Sequence, residues 1–224
     1  MRLNGKTVVV TGAAGALGKA VVRAAVAAGA RVEAVDLSEA SLASVAGPGV
    51  TVRRLNLLDS GSVADALGGL KVDGLAAVAG GFTMGAGAHE LGDDWQTMQS
   101  INVETLRNTL SAVVPGMKSH GGSVVTIGAR NGLVGPPVMS AYAASKSAVH
   151  RLTESLAAEG SEFGLRANCV LPAIIDTPAN RAAMPDADSS GWVDPDDLAA
   201  VIVFLLSDES RAVQGALIPA YARG

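Results

Sequence analysis

Two residues of the run Ser140-Ala-Tyr-Ala-Ala-Ser-Lys146 have types and a spacing that could support proton transfer. On a helix, Tyr142 and Lys146 share one face because they are four residues apart. A phenol has an ordinary pKa of about 10, and a nearby ammonium lowers it by stabilising the phenolate. A shift of roughly three units corresponds to about 4 kcal/mol, which a specific charge partner can supply. The pair therefore predicts a tyrosine acid or base whose pKa the lysine lowers.

A Tyr and a Lys at this spacing also occur by chance on ordinary helix surfaces, so the prediction depends on the rest of the chain. The run Thr11-Gly-Ala-Ala-Gly-Ala-Leu-Gly18 follows three valines and has the sequence of a strand end, a tight turn and a helix start. Gly12, Gly15 and Gly18 would let the backbone approach a pyrophosphate, which the helix N-terminus would face. The G-x-x-G-x-x-G spacing is weak as a bare pattern, but its place between a strand and a helix predicts a nucleotide site.

Asp36 ends the apolar run Arg31-Val-Glu-Ala-Val-Asp36 and is the acid expected after the second strand. A carboxylate there can bind both ribose hydroxyls of an adenosine and would repel a 2'-phosphate, which predicts NAD(H) rather than NADP(H). The alternative, that Asp36 caps the next helix, competes with Ser38, which is itself a good N-cap. Asn56 follows the third strand and could reach the adenine, whereas Asp59 can equally be a plain helix cap.

The composition limits the class of protein. A chain of 224 residues with 49% hydrophobic and 3% aromatic residues indicates one domain with a core of Ala, Val, Leu and Ile. The net charge of -4, without a basic block, argues against a nucleic-acid partner. The single cysteine, Cys169, and three scattered histidines argue against a disulfide or a metal site, and the apolar neighbours of Cys169 favour a buried thiol. No signal peptide or membrane-spanning stretch is visible, so we expect a soluble cytoplasmic protein.

Short valine-rich runs alternate along the chain with longer Ala- and Leu-rich periodic stretches. The runs predict strands that are buried on both faces, at Thr7–Thr11, Arg31–Asp36, Val50–Leu55, Val72–Ala79, Ser123–Ile127, Arg166–Leu171 and Ala216–Pro219. The periodic stretches predict helices at Ala16–Ala28, Asp93–Ser119, Ser140–Phe163 and Pro195–Leu206, with shorter helices starting near Ser38 and Asp59. This alternation predicts a single-domain, Rossmann-type α/β fold over residues 1–224, a doubly wound parallel sheet of about seven strands with helices on both faces.

One long stretch, from residue 173 to residue 194, is too polar and too interrupted by prolines to predict a helix or a strand. Long loops of compact domains tend to be functional. We therefore expect residues 173–194 to form a substrate lid.

Together these residues resemble the short-chain dehydrogenase/reductase family over nearly the whole chain. The matching features, in chain order, are the Thr11–Gly18 turn, Asp36, Ala79-Gly80 after the fourth strand, Asn102, the pair Tyr142 and Lys146, and Pro172 to Thr177 after the sixth strand. The resemblance implies that Tyr142 is the catalytic acid or base. It also implies that Lys146 binds the nicotinamide ribose and lowers the tyrosine pKa, and that Asn102 holds a water in a proton relay.

The resemblance also implies where the cofactor and a second subunit would bind. Ile175 and Thr177 would contact the nicotinamide end of the cofactor. Besides Tyr142 and Lys146, the predicted cofactor contacts are Gly12, Ala14, Gly15, Ala16, Leu17, Gly18, Asp36, Leu37, Asn56, Leu57, Ala79, Gly80, Pro172, Ile175 and Thr177. The helices that carry Asn102 and Tyr142 would form a subunit interface, so we expect a homodimer or a homotetramer.

Two positions depart from the family pattern. The family usually carries a Ser thirteen positions before the Tyr, where this chain has Ala129, and an Asn where it has Val78. The serine hydroxyl normally helps to polarise the substrate carbonyl, and losing such a donor costs on the order of a hundred- to a thousand-fold in rate.

A narrower resemblance, to the dihydropteridine reductase branch, accounts for Ala129, because that branch also has Ala there. It extends to Val78-Ala-Gly-Gly81, Lys146-Ser-Ala-Val-His150 and the lid run Asp176–Trp192. A quinonoid dihydropterin is already an activated electrophile, so hydride transfer to it would need less help from a hydroxyl. The residues expected at the substrate are Ala129, Arg130, Asn180, Arg181, Met184 and Trp192.

Some of these residues have simpler interpretations. Arg130 could meet an anionic substrate group or be an exposed loop arginine, and Trp192 could stack on a substrate or anchor the lid. His150 shares a helix face with Lys146, where a packing or subunit-contact role is favoured over a catalytic one. His89 and His120 lie in loop contexts and are expected to be solvated.

The resemblance implies an NAD(P)H-dependent reductase of a small molecule, with a dihydropteridine-like or other conjugated C=N or C=O substrate. One alternative is a 3-oxoacyl or general ketone or alcohol oxidoreductase of the same fold. Another, of a different class, is a noncatalytic NAD(H)-binding sensor, which Ala129 and Val78 favour and which Asn102, Tyr142 and Lys146 oppose.

Overall fold

Seven parallel strands form one sheet in the computed structural model, which describes residues 1–222. The strands are β1 Thr7–Thr11, β2 Arg31–Asp36, β3 Val50–Arg54, β4 Gly74–Ala77, β5 Gly122–Ile127, β6 Leu165–Pro172 and β7 Leu217–Ala220. Their order is β3-β2-β1-β4-β5-β6-β7. Because the winding reverses between β1 and β4, the loops after these two strands separate and leave a crevice at the carboxyl edge of the sheet. The structure confirms the predicted doubly wound parallel sheet.

Helices cover both faces of this sheet. They are α1 Ala16–Ala27, α2 Glu39–Leu42, α3 Ser60–Leu67, α4 Gly92–Gln99, α5 Thr105–Met117, α6 Ser140–Gly160, α7 Pro178–Ala183 and α8 Pro195–Leu206. Helices α1 and α8 bury apolar residues against one face, while α3, α5 and α6 bury theirs against the other. Neighbouring strand residues alternate between the two cores, as Val8 and Val9 do, so the strands are apolar on both faces.

The helix predicted over Asp93–Ser119 is not one continuous α-helix. A wider, π-helical turn at Ser100–Glu104 separates α4 from α5, and Asn102 lies within it. Such turns are rare in proteins as a whole, but those that occur often lie at functional sites. The apolar periodicity missed the turn because one wider turn hardly changes the spacing of the flanking apolar residues.

The lid segment also contains regular structure, contrary to the prediction. Helix α7 begins after Thr177, whose hydroxyl oxygen accepts the N–H of Asn180 at 3.1 Å as an N-cap. Pro178 occupies the first helical position, where a missing N–H costs nothing. The capping residue and the proline therefore start a helix in a segment whose polarity argued against one.

Single side chains elsewhere follow the predictions in part. Cys169 is fully buried, as expected. Ser38 and Asp59 cap α2 and α3 by accepting the N–H groups of Ser41 and Ser62. His120 is exposed, as expected, although its Nε2 lies 3.1 Å from the carbonyl oxygen of Val72.

Within residues 1–222, no helix is long and apolar enough to cross a membrane.

Candidate active site

The glycine turn after β1 is built for close approach of backbone to backbone. Gly12 has a φ of +64°, and a Cβ there would lie 2.8 Å from the Cα of Ala79 on the loop after β4. A Cβ on Gly18 would overlap the carbonyl oxygen of Gly12. These two positions therefore exclude any other residue, and they leave the N-terminus of α1 open at the crevice between β1 and β4.

The loop after β4 turns away from the sheet sooner than predicted. The strand ends at Ala77 rather than Ala79, because the N–H of Val78 donates to the carbonyl oxygen of Ala76 at 3.1 Å. The N–H of Ala79 then donates to the Thr11 hydroxyl at 3.2 Å. This places Ala79 and Gly80 on the wall of the crevice, opposite the glycine turn.

Asp36, the last residue of β2, lies beside the glycine turn. Its Oδ2 accepts the N–H of Ala14 at 3.0 Å, and its Oδ1 accepts the N–H of Ser38 at 3.1 Å. Each carboxylate oxygen keeps a lone pair that a ribose hydroxyl could use. Ser38 caps α2, so the capping role considered for Asp36 belongs to its neighbour. The Oδ1 of Asn56 accepts the N–H of Leu58, which leaves its amide protons without a partner among residues 1–222.

Lys146 reaches from α6 to the end of β5. It is 6% exposed, and its ammonium donates to the carbonyl oxygen of Ile127 at 2.9 Å. Burial lowers the pKa of Lys146 to about 8. A Cβ on Gly80 would lie 3.4 Å from its Nζ, so the ammonium borders the crevice wall.

Tyr142 lies one turn before Lys146, as predicted, but its pKa moves in the other direction. Burial raises the pKa of Tyr142 to about 12. The Nζ of Lys146 lies 5.9 Å from the centroid of the tyrosine ring and is itself buried. The predicted lowering by the lysine is therefore wrong, because desolvation of the phenol dominates.

Asn102 connects three elements of the site. Its Oδ1 accepts the N–H of Gly81 at 2.9 Å, and its Nδ2 donates to the carbonyl oxygen of Gly81 at 3.1 Å and to the hydroxyl of Ser145 at 3.0 Å. The π-helical turn thus fastens the loop after β4 to α6. Both amide protons are engaged, so a relay water could bind only the remaining lone pair of Oδ1, and the relay role stays a prediction.

Phe82 is a site residue that the sequence analysis missed. Its ring packs edge-on against Tyr142, with centroids 4.8 Å apart and planes at 86°. The side chain remains 53% exposed, so it forms an apolar rim beside the phenol. The available signal was an aromatic residue directly after Gly80-Gly81 in a chain with 3% aromatic residues.

Ala129 lies two residues after the end of β5, next to a buried side chain of α6. The ring of His150 is 1% exposed, and its Nε2 lies 3.3 Å from the backbone nitrogen of Ala129. Burial, together with the charges of Arg151 and Lys146, lowers the pKa of His150 to about 4. The packing role favoured for His150 agrees with this position.

Residues of the lid, 173–194, bind to one another. Ile175 pairs with Val193 in an isolated parallel bridge. Asn180 donates to the carbonyl oxygen of Ile175 at 2.8 Å, and Arg181 forms a two-point ion pair with Asp176 at 2.5 and 2.6 Å. These two predicted substrate residues therefore bind other residues of the lid. The other two, Met184 and Trp192, are half-buried on it.

Arg130, the remaining predicted substrate residue, follows Ala129 at the carboxyl edge. Its guanidinium lies 5.6 Å from the centroid of the Tyr221 ring, just after β7. Among residues 1–222, no carboxylate lies within 4.0 Å of it, in contrast to Arg181. An exposed guanidinium held on an aromatic face, without an internal counter-ion, is available to an anion.

The family comparison agrees with this site. Residues 6–188 match the model of the family described as short chain dehydrogenase. The 3-oxoacyl-acyl-carrier-protein reductase FabG of Thermotoga maritima is 32% identical over 97% of this chain and 97% of its own length.

Solved structures of similar proteins have the same fold. A 3-oxoacyl-acyl-carrier-protein reductase from Brucella melitensis, with bound NAD, has a TM-score of 0.87 and 27% identity, covering 98% of this chain and 92% of its own. A putative NAD(P)-dependent gluconate 5-dehydrogenase from Beutenbergia cavernae, with NADP at low occupancy, has a TM-score of 0.89 and 28% identity, covering 97% and 95%. Relatives of this chain thus bind either dinucleotide.

Proposed function

The chain belongs to the short-chain dehydrogenase family and is an NAD(P)-dependent oxidoreductase, and we propose that it reduces a conjugated C=N or C=O group of a small molecule with NADH. The observation that carries this proposal is the grouping of Asn102, Tyr142 and Lys146 beside the loop after β4: Asn102 is hydrogen-bonded to Gly81, Lys146 to Ile127, and Tyr142 packs against Phe82. When bound there, the nicotinamide supplies the hydride.

The preference for NADH rests on Asp36. Its carboxylate is fixed by the N–H groups of Ala14 and Ser38, so it cannot easily turn away from a 2'-phosphate. The tight glycine turn, in which a Cβ on Gly12 would meet Ala79 and one on Gly18 would overlap the carbonyl oxygen of Gly12, supports a dinucleotide there because it lets the backbone approach a pyrophosphate. The remaining proposed cofactor contacts are Ala14, Gly15, Ala16, Leu17, Leu37, Asn56, Leu57, Ala79, Gly80, Pro172, Ile175 and Thr177.

In the proposed reducing direction, Tyr142 would be the proton donor. A phenol with a pKa of about 12 is protonated at neutral pH, so Tyr142 is ready to donate a proton to the reduced substrate. Lys146 would bind the nicotinamide ribose and hold a positive charge near the developing phenolate. Its hydrogen bond to Ile127 fixes the ammonium in place beforehand.

The proposed substrate class follows from what surrounds Tyr142. Ala129 offers no hydroxyl, which favours an electrophile that is already activated, such as a quinonoid dihydropterin. Phe82 gives the site an apolar aromatic rim, on which a planar ring could pack. Met184 and Trp192 would close the lid over the substrate, and Arg130 would meet an anionic group on it.

Two other functions have specific support. Similarity to 3-oxoacyl-acyl-carrier-protein reductases favours a 3-oxoacyl or general ketone substrate. The absence of a hydroxyl at Ala129 favours a noncatalytic NAD(H)-binding sensor. We further propose that α4, α5 and α6 form a homodimer or homotetramer interface, which the mass of the protein in solution would test.

One panel of substrates separates these functions. The protein is incubated with NADH or NADPH and with quinonoid dihydropterin, a 3-oxoacyl thioester or simple ketones, and the absorbance at 340 nm is followed. We expect turnover of the dihydropterin with NADH above that of the other pairs. Turnover of the thioester alone would favour the ketone reductase, and cofactor binding without any turnover would favour the sensor.

A further inference from the structure

We propose that His150 is a positioning residue, which fixes the end of β5 against α6 so that Lys146 stays beside the nicotinamide site. The inference rests on the proposed function, because it assigns His150 to the catalytic machinery of Tyr142 and Lys146. It gives a role to a buried ionisable side chain that takes no part in proton transfer.

The first observation is the hydrogen bond to Ala129. Nε2 of His150 can accept the Ala129 N–H at 3.3 Å only if it carries no proton, which assigns the proton of the neutral ring to Nδ1. Nδ1 is buried and has no hydrogen-bond partner among the described residues. A buried donor without a partner destabilises the folded protein. The ring is thus held in a costly tautomer by its contact with Ala129.

The second observation is the space cleared for the ring. A Cβ on Gly128 would overlap Nε2 of His150, and a Cβ on Gly132 would lie 2.5 Å from its Cε1. Neither glycine has a positive φ, so the backbone conformation does not require glycine there. The two glycines therefore serve to admit the imidazole between the end of β5 and the turn that follows it.

The third observation is the spacing of the attachments. Helix α6 holds this segment at three points: Lys146 at the carbonyl oxygen of Ile127, His150 at the N–H of Ala129 and Ser147 at the carbonyl oxygen of Gly132. The attachments of Lys146 and His150 are two residues apart, at the last residue of β5 and in the segment that follows it, and they are one turn apart on α6. Releasing the second would let the first shift, and displacement of a catalytic group by about 1 Å can cost a hundredfold in rate.

The same contact determines whether the backbone at position 129 can replace the hydroxyl of the absent serine. Because the N–H of Ala129 is bound to His150, it cannot donate to a substrate oxygen in place of the absent hydroxyl. His150 therefore fixes the geometry of the segment without becoming a substitute for that donor.

The test compares His150→Leu, which cannot accept the N–H, with His150→Gln, whose Oε1 can reach the position of Nε2. Val149→Ala, a buried change on the same helix that keeps the His150 imidazole, controls for lost packing. Turnover at saturating NADH, NADH affinity by fluorescence and amide hydrogen exchange of residues 127–132 are measured on folded protein. The exchange measurement does not require that a substrate be known.

We expect His150→Leu to lower kcat about tenfold or more, to change NADH affinity less than twofold and to speed exchange at Ala129. His150→Gln should restore most of both losses, and Val149→Ala should show neither. Unchanged exchange in His150→Leu would overturn the inference even if the wild type turned over no substrate. Equal loss of kcat in the Leu and Gln variants, or in Val149→Ala, would also overturn it. A wild type that binds NADH without turnover, while His150→Leu speeds exchange, would instead count against the proposed function.

Discussion

Phe82 packs the edge of its ring against Tyr142 at a centroid distance of 4.8 Å, and so covers part of the phenol. The desolvation of Tyr142 comes in part from this loop residue, which Asn102 holds in place through Gly81. The protonation of the proposed catalytic acid is thus linked to the loop after β4.

Removing this ring should expose the phenol. In a Tyr221→Phe background, which leaves Tyr142 as the single tyrosine, Phe82→Ala should lower the pKa of Tyr142 from about 12 toward its ordinary value of 10.0. Ultraviolet titration of tyrosinate measures the shift, and Phe82→Leu should give a smaller one. An unchanged pKa in Phe82→Ala would mean that other groups desolvate the phenol.

Tyr142→Phe should lower kcat by roughly a hundred- to ten-thousand-fold, because the variant cannot donate the proton that accompanies hydride transfer. NADH affinity should stay within about twofold, since most of the proposed cofactor contacts, including the glycine turn and Asp36, are unchanged in the variant. Steady-state kinetics and cofactor fluorescence separate the two effects. Activity equal to that of the wild type would remove Tyr142 from the mechanism.

Asp36→Asn should shift the cofactor preference toward NADPH by about tenfold or more, because it removes the charge that repels a 2'-phosphate. The amide oxygen can still accept one of the two backbone N–H groups that Asp36 binds, so the turn should keep its shape. The ratio of kcat/KM for NADH and NADPH measures the preference. A ratio that does not change would assign the choice of cofactor to other residues.

The stability of the wild type should depend on pH through Lys146. Burial lowers its pKa from 10.5 to about 8. Below pH 8 the amine is charged in both the folded and the unfolded protein, and the buried charge lowers the free energy of unfolding. Between pH 8 and 10.5 the folded protein loses the proton first, so this cost disappears as the pH rises.

Lys146→Met removes that titration. As the pH rises between the two pKa values, the free energy of unfolding of the wild type should therefore increase by roughly 3 kcal/mol relative to that of the variant. Urea unfolding at a series of pH values measures the difference, in which the titration of Tyr142 cancels because both proteins contain it. Parallel curves would contradict a buried, charged Lys146.

Gly18→Ala should prevent cofactor binding and lower the thermal stability, because a Cβ there overlaps the carbonyl oxygen of Gly12. Gly47→Ala is the matched control, since a Cβ at that position has open space around it. Thermal unfolding and NADH titration compare the two variants. Equal behaviour would show that the turn can widen without loss.

The fold could be predicted from the sequence because the determining signals are local. Valine runs buried on both faces, alternating with periodic helices, permit few arrangements other than a doubly wound parallel sheet. The positions of the glycine turn and Asp36 could likewise be predicted, because each lies at the end of a strand and the ends of parallel strands meet at one edge of the sheet. The pairing of Tyr142 with Lys146 needed only the helical repeat.

Contacts between residues far apart in the chain could not be predicted. Phe82 meets Tyr142 and His150 meets Ala129 only because α6 lies against the loops after β4 and β5. The direction of the Tyr142 pKa shift also depends on this packing, since the spacing to Lys146 indicated a lower pKa and burial produced a higher one. Residue types and spacings therefore determined which groups are present, while desolvation and long-range contacts, which exist only once the elements pack, decided their protonation and their partners.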